Sequence, residues 1–164
     1  MSKPKRALLI ALPLVALCVV GSWLFLRAWW ARVTQPSTVS AALAGDLQLL
    51  QSLQQQGMSL NYHDPRMFMW TPLMAAVYCR QSNVVAYLVK QGVDLEARDA
   101  HGNTALMLAV DIADTDLSIV EMLINAGAKT NVTNDFGRTV FDAARTKPGK
   151  ERLLQVLSQE AREE

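Results

Sequence analysis

The residues of this sequence that could carry metal chemistry are few and poorly grouped. The histidines His63 and His101 lie 38 positions apart, and neither has a companion at the spacing of a zinc site. Asp111, Asp114 and Asp116 lie close together, but the segment lacks the central glycine and the closing glutamate of a calcium-binding loop. We therefore predict no metal site, and we interpret these aspartates as caps at helix ends.

Nucleophilic chemistry is equally sparse. The chain has two cysteines, and we expect Cys18 in a long apolar run and Cys79 on a helix, where they cannot pair within one chain. Neither a glycine-rich phosphate loop nor the turn of a nucleophilic serine occurs. The sequence predicts no enzymatic activity, no cofactor and no small-molecule substrate.

Charge is distributed unevenly along the chain. Five of the 16 basic residues fall within residues 1–32, which contain no acidic residue. The rest of the chain therefore holds 11 basic and 15 acidic residues, a formal charge of −4. Because proteins bind nucleic acids through cationic patches that neutralise phosphates, we expect no nucleic-acid partner.

The elements that must position these residues recur at a regular period. Thr71–Ala76 recurs 33 residues later as Thr104–Ala109, and Thr139–Ala144 begins a further copy 35 residues after Thr104. Upstream, Ala41–Asp46 matches the small-residue helix and the turn of such a unit. Glycines with similar surroundings recur every 35 residues, at Gly57, Gly92 and Gly127.

The residue pattern of each unit predicts two helices. The threonine hydroxyl can cap the first helix, and Pro72 then occupies a position where no N–H is needed. The second helix has apolar residues at i, i+1 and i+4, as in Val84, Val85 and Leu88, which form a core stripe. The closing glycine suits the left-handed conformation that ends a helix.

This pattern resembles the ankyrin-repeat family over roughly residues 36–158. The resemblance implies an all-α solenoid of about four helix pairs, which binds a protein partner instead of catalysing a reaction. We expect this domain at residues 37–160, with units at about 37–61, 62–98, 99–133 and 134–160.

The chain departs from the family pattern at several positions. Met74 and Met107 replace a histidine that usually forms hydrogen bonds between units, which suggests lower stability, and Arg80 replaces the usual glycine between helices. Two extra residues fall within Tyr62–Trp70 and two more within Asp111–Ser118. We expect both insertions to lengthen loops and to leave the stack intact.

The N-terminal region has the pattern of a membrane anchor. Ala7–Leu26 is a run of 20 uncharged residues, which as a helix spans about 30 Å, the thickness of a bilayer core. A cleaved signal peptide begins in the same way, but this run is longer and no small-x-small cleavage site follows it. We predict a basic cytoplasmic head at 1–6, a transmembrane signal anchor at 7–30 and a linker at 31–36, with interfacial tryptophans at Trp23, Trp29 and Trp30.

The orientation of this single span follows from its flanking charges. Three basic residues precede it and two follow directly, which favours a cytoplasmic N-terminus. The layout resembles small membrane-anchored ankyrin-repeat proteins of the bacterial inner membrane, which implies a periplasmic repeat domain that serves as an adaptor or inhibitor of a protein partner. Two alternatives remain: a structural membrane-complex subunit that acts through its transmembrane helix, and a cytosol-facing ankyrin module of inverted topology.

Candidate partner-binding residues are surface positions that the repeat itself does not need. Two columns lie three residues and one residue before each threonine, and we expect stacking to align them along one edge. The first column is Phe68, His101 and Phe136, and the second is Trp70, Asn103 and Arg138. We add Met67 from the apolar first loop, and Tyr78 and Asp111 from matching positions on successive first helices.

Exposed aromatic residues, methionine and arginine together are typical of anchors in protein interfaces. Two alternatives apply to the first loop, Asp64–Trp70, which is longer than the others and lacks their glycine. It can fold back to cap the stack, or it can contact the nearby bilayer.

Overall fold

The computed structural model describes residues 37–112, 117–147 and 150–160, which belong to one structural unit beginning at Ser37. The predicted head, transmembrane anchor and linker lie outside the described residues. Within the residues that are described, no helix has both the length and the apolar character needed to cross a bilayer.

Eight helices run through the described residues and form four consecutive pairs. Their bounds are α1 Thr38–Ala44, α2 Leu47–Gln55, α3 Pro72–Tyr78, α4 Ser82–Lys90, α5 Ala105–Ile112, α6 Ser118–Asn125, α7 Val140–Arg145 and α8 Lys150–Glu160. The first helices pack in one row, α1 on α3, α3 on α5 and α5 on α7, while α4 packs on α6 and α6 on α8. This confirms the predicted all-α solenoid of four helix pairs.

Threonine caps begin the first helices of the last three pairs. Thr71 Oγ1 accepts a hydrogen bond from the Met74 amide at 3.3 Å, and Thr104 Oγ1 accepts one from Met107 at 3.4 Å. At α7, Thr139 and Asp142 form a reciprocal capping box. Because a cap pairs an amide that has no partner inside the helix, these threonines fix where each helix starts, as the sequence predicts.

Two predictions about local positions are wrong. Asp111 does not cap a helix end but lies in the last turn of α5, where its backbone carbonyl accepts a hydrogen bond from Lys147 Nζ. Leu117 occupies the N-cap position of α6, and Asp114 and Asp116 lie outside the described residues. Cys79 follows α3 instead of lying within it, and it is an exposed free thiol.

The apolar core continues from one pair to the next. Leucines from each pair are fully buried, among them Leu50, Leu73, Leu106 and Leu157. Met74 and Met107, which stand where the family usually places histidine, are 0% and 3% exposed and join this core. The units are therefore joined at these positions by apolar packing, which requires close stacking to keep water out.

Left-handed backbone follows most of the second helices, and at Gly45 and Arg80 it links the two helices of a pair. Gly57, Gly92 and Gly127 have φ of 85°, 69° and 88°, as predicted for the closing glycines. Arg80 adopts φ 55° at the α3–α4 turn, where the family uses glycine. Its guanidinium donates to the Ile112 carbonyl at 2.5 Å, so this residue also links the second pair to the third.

Candidate functional site

Three loops precede α3, α5 and α7, and we call them fingers 1, 2 and 3. Each finger is closed by a backbone hydrogen bond of 3.0 Å from the amide of its first residue to the carbonyl of its last. Finger 1 is Asp64–Trp70, finger 2 is Asp99–Asn103 and finger 3 is Asn134–Arg138. The same closure in all three fingers gives them a common framework on which side chains can be aligned.

The first side chain of each finger holds the loop from within. Asp99 Oδ1 accepts from the amides of His101 and Asn103, both at 2.8 Å. Asn134 Oδ1 accepts in the same way from Phe136 and Arg138, both at 3.0 Å. Because short polar side chains are well suited to such turns, these residues fix the loop backbone and thereby the direction of its side chains.

Finger 1 contains its two extra residues between the closing residues Asp64 and Trp70. It accommodates them with left-handed backbone at Phe68 and Met69, whose φ values are 52° and 60°. Met69 stands two residues before the capping threonine, the position that Gly102 occupies in finger 2 with φ 74°. The longer loop therefore keeps the turn geometry of the other fingers without their glycine.

A buried carboxylate supports finger 1. Asp64 is 2% exposed, and its oxygens accept from Arg66 Nε at 3.0 Å and Arg66 Nη2 at 2.8 Å. The side-chain hydrogen bond from Arg66 holds the pKa of Asp64 below its ordinary value of 3.8, against the opposing effect of burial. The same contact raises the pKa of Arg66. Since the carboxylate is the hydrogen-bonded form, finger 1 is held most firmly when Asp64 is ionised.

The fingers are joined to one another through the backbone. The Ala100 amide donates to the Phe68 carbonyl at 2.8 Å, and the Asp135 amide donates to the His101 carbonyl at 3.1 Å. Fingers 2 and 3 thus each donate to the carbonyl of the first-column residue in the finger before. We call this repeated contact the finger ladder.

The ladder aligns Phe68, His101 and Phe136, and contacts within the second unit extend this series to five rings. We call it the aromatic strip: Tyr78, Trp70, Phe68, His101 and Phe136. Successive ring centroids are 4.9, 6.4, 6.1 and 6.1 Å apart in that order. These distances fall in the range of favourable aromatic contacts. Tyr78, Phe68 and Phe136 are 53%, 61% and 70% exposed, so the strip presents a large apolar surface to solvent.

The structure separates the predicted candidates into exposed and supporting residues. Trp70 and Met67 are half-buried and pack on the core, so finger 1 does fold back in part while Phe68 projects from it. Asn103 is also half-buried, where it donates to Asp99 and accepts from Asn134 Nδ2 at 2.9 Å. Asn103 therefore acts on the strip by positioning neighbouring fingers.

The other two candidates lie outside the row of rings. Arg138 is exposed at the end of finger 3, in the column of Trp70 and Asn103. Asp111 is exposed on α5, one unit along the stack from Tyr78 on α3. Both positions can contribute charge to a partner that covers the strip.

A second set of contacts between units was not predicted from the sequence. Asn61 Oδ1 accepts from the Asp94 amide at 3.0 Å, and Glu96 Oε1 accepts from the Lys129 amide at 2.8 Å. The signal available in the sequence is a polar residue four positions after each closing glycine, at Asn61, Glu96 and Asn131. That spacing gives no indication of a partner 33 residues away, so the role of these side chains appears only in the folded stack.

Among residues 37–112, 117–147 and 150–160, no group of three or more His, Cys, Asp or Glu side chains is placed to hold a metal ion. His63 is half-buried just before finger 1, whereas His101 lies in the aromatic strip between Phe68 and Phe136. The position of His101 between two phenylalanine rings gives it a role in ring stacking.

Comparison with known proteins agrees with this architecture. A family model for ankyrin repeats (three copies) matches residues 39–134. The chain is 34% identical over 91 residues to ankyrin repeat and SAM domain-containing protein 6 of Rattus norvegicus and 34% over 90 residues to ankyrin repeat and SOCS box protein 6 of Mus musculus. It is 39% identical over 72 residues to neurogenic locus notch homolog protein 1 of Xenopus tropicalis.

These matches concern the repeats and a small part of each relative. They cover 56%, 54% and 43% of this chain but only 10%, 21% and 3% of the three relatives.

Proposed function

Because this chain belongs to the ankyrin-repeat family, we propose that it is a membrane-anchored protein-binding module that serves as an adaptor or inhibitor of a protein partner in the bacterial periplasm. Ankyrin repeats are interaction modules whose rigid stack displays an extended surface. The protein-binding part of the proposal follows from the family. The anchor and the periplasmic location rest on the N-terminal sequence alone.

The observation that carries the binding site is the aromatic strip. Phe68 and Phe136 lie on either side of His101, with ring centroids 6.1 Å from it, and both are more than half exposed. Burying such side chains under a partner removes apolar area from water, with a free-energy gain of about 25 cal/mol per Å². Since the fingers are already fixed by hydrogen bonds, little conformational entropy is lost when the strip is covered.

The binding test compares full-length protein captured from cells after chemical crosslinking, as wild type and as a Phe68→Ala, Phe136→Ala double variant. We choose these two residues over Trp70 because Trp70 packs on the core, so its removal would also disturb folding. A Tyr62→Ala, Met58→Ala variant is the matched control, since both residues are exposed and apolar but lie outside the aromatic strip.

We expect one protein to be captured with the wild type and the control and lost with the strip variant. Equal capture by all three would reject the strip as the binding site. Loss of the captured protein on exchange of Ala7–Leu26 for an unrelated apolar span, with the strip variant unaffected, would favour the structural membrane-subunit alternative.

The orientation test uses the exposed thiol of Cys79. A membrane-impermeant maleimide added to intact spheroplasts should label Cys79 if the repeats face the periplasm, whereas Cys18 lies within the predicted span. A Cys79→Ser variant shows the background. Labelling that occurs only after the membrane is lysed would contradict the proposed orientation and support the cytosol-facing alternative.

A further inference from the structure

The finger ladder ends at finger 3 on an open edge. The carbonyls of Phe68 and His101 each accept an amide from the next finger, and the next carbonyl in this series is that of Phe136. Within the described part of the chain, no amide donates to it. The Phe136 ring is also the most exposed large apolar side chain there, at 70%.

The second set of inter-unit contacts is open at the same end. Asn61 and Glu96 each accept an amide from the following unit, and Asn131 is the next residue of that series. Asn131 is exposed, and its side chain accepts no hydrogen bond from a described residue. The third unit therefore presents the Asn131 side chain, the Phe136 carbonyl and the Phe136 ring. These are the groups whose equivalents form the contacts between earlier units.

The open edge differs from the contact between fingers 2 and 3 in the charge of the residue that closes the finger. In the contact between fingers 2 and 3, Asn134 Nδ2 donates to Asn103 Oδ1. The residue of finger 3 in the column of Asn103 is Arg138, which offers donors only. A chain that continues this ladder must therefore place an acceptor, most favourably a carboxylate, opposite Arg138.

We propose that this edge, defined by Asn131, Phe136 and Arg138, binds a turn-containing segment of the protein partner, so the inference rests on the proposed function and specifies the partner's chemistry. The segment carries an acidic residue, then a residue whose amide donates to the Phe136 carbonyl, then an aromatic residue that stacks on the Phe136 ring. A second amide, six residues before the first as Lys129 is before Asp135, reaches Asn131. In the internal contact, the donor Asp135 and the ring of Phe136 lie on a turn, so the partner's segment must form a similar turn at this edge.

A second copy of this chain is a poor occupant of the edge. The amide that finger 1 would have to donate is that of Met67, which matches Ala100 and Asp135 in the other fingers. The Met67 amide already donates to the Asp64 carbonyl in its own finger, at 3.0 Å. Stacking finger 1 of one copy on finger 3 of another would break that bond, so a heterologous segment fits better.

The test uses a fluorescent peptide with the sequence of residues 129–139 carrying N134D, titrated into the full-length protein in lipid nanodiscs. This segment already makes the corresponding contacts within the stack, and the substitution supplies the carboxylate opposite Arg138. We expect saturable binding by fluorescence anisotropy. N-methylation of the Asp135 amide of the peptide should weaken binding roughly three- to tenfold, because it removes the ladder hydrogen bond.

The control peptide is N-methylated at Thr133, whose amide donates to no described residue in the stack, and its affinity should stay unchanged. In the protein, Arg138→Glu should lower the affinity for the N134D peptide by about two- to fivefold. It should raise the affinity for a peptide carrying N134K by a similar factor. Absence of saturable binding, or equal effects of the two methylations, would overturn the inference.

The inference and the proposed function fail separately. If the peptide does not bind but the strip variant still loses the crosslinked partner, only the open edge is rejected. If the peptide binds with the expected pattern but the strip variant keeps its partner, the edge binds such a segment, and neither the strip nor the Phe136 ring anchors the captured partner.

Discussion

At the residue scale, this chain has other residues at positions where the family usually has glycine or histidine. Arg80 has a left-handed backbone in a position where glycine is normal, and its guanidinium links α3 to the end of α5 through the Ile112 carbonyl. The conformational strain and the hydrogen bond act in opposite directions, because a residue with a Cβ atom is disfavoured at this φ. Which effect dominates can be measured with two substitutions.

We expect Arg80→Ala to lower the free energy of unfolding by about 1 kcal/mol, because it removes the hydrogen bond and keeps the strain. Arg80→Gly loses the same hydrogen bond but relieves about 1 kcal/mol of strain, so it should remain near the wild type. Urea denaturation of the full-length protein in detergent measures both variants. Equal stability of the two variants would show that the left-handed backbone carries no strain here.

Asp64 gives the stability of the protein a dependence on pH at the acid end. Because hydrogen bonding to Arg66 lowers the pKa of Asp64 in the folded protein, its ionised form stabilises the fold above the ordinary pKa of 3.8. That contribution should be lost as the pH falls below 3.8 through the folded-state pKa.

The measurement is a comparison of wild type with Asp64→Asn by urea denaturation between pH 6 and pH 2. The variant should be less stable at pH 6, and the difference should shrink below pH 3.8. An Arg66→Gln variant, which lacks the guanidinium, should show a weaker pH dependence over the same range. A difference between wild type and Asp64→Asn that stays constant with pH would contradict the role given to the carboxylate.

At the element scale, the fingers combine a shared hydrogen-bonded frame with different turn residues. Fingers 2 and 3 use Gly102 and Gly137 at the left-handed position before the threonine, with φ of 74° and 69°. Finger 1 uses Met69 at φ 60°, and Phe68 beside it has φ 52°. The two-residue extension thus projects Phe68 outward at the expense of local strain, which is commonly tolerated at binding surfaces.

We expect Met69→Gly to raise the free energy of unfolding by about 1 kcal/mol, because glycine adopts this φ without steric conflict. Met58→Gly is a matched control, since Met58 is 39% exposed and Met69 is 40% exposed. Met58 does not have positive φ, so its replacement should lower stability by about 0.5–1 kcal/mol. If both variants are destabilised alike, finger 1 stores no strain at Met69.

At the scale of the whole molecule, the stack transmits stability only between neighbouring units. Helix α5 packs on both α3 and α7, whereas α8 has packing partners on one side of the stack only, at α6 and α7. In such an array, stability is close to a sum of unit terms and interface terms. Damage to a central unit should therefore spread further than damage to the last one.

Leu106 in α5 and Leu157 in α8 are both 0% exposed and provide a matched pair. Each substitution to alanine should destabilise its surroundings by about 2–5 kcal/mol. For Leu157→Ala we expect faster hydrogen exchange confined to α7 and α8, while Leu106→Ala should reduce amide protection on both sides of the third pair. Identical exchange patterns for the two variants would indicate a single cooperative unit instead of a nearest-neighbour array.

The local sequence was enough to predict the helices, their threonine caps and the left-handed glycines that close the units. Thr71 caps α3, and Gly92 ends the second helix of its unit, through contacts within about five residues of sequence, where spacing alone determines geometry. The 33-residue period likewise predicts the solenoid, because equal units stack in equal ways. It also predicts that Phe68, His101 and Phe136 share one edge. Their role in binding a partner stays a prediction.

Only the tertiary structure determines the contacts between residues more than 30 positions apart. The hydrogen bonds of Asn61 with Asp94 and of Arg80 with Ile112 depend on the distance and rotation between units. In the folded stack Trp70 packs partly buried against the core, while Phe68 stays exposed. A repeat pattern gives the order of such residues along an edge, but their depth and partners arise from side-chain packing across units, which no local spacing encodes.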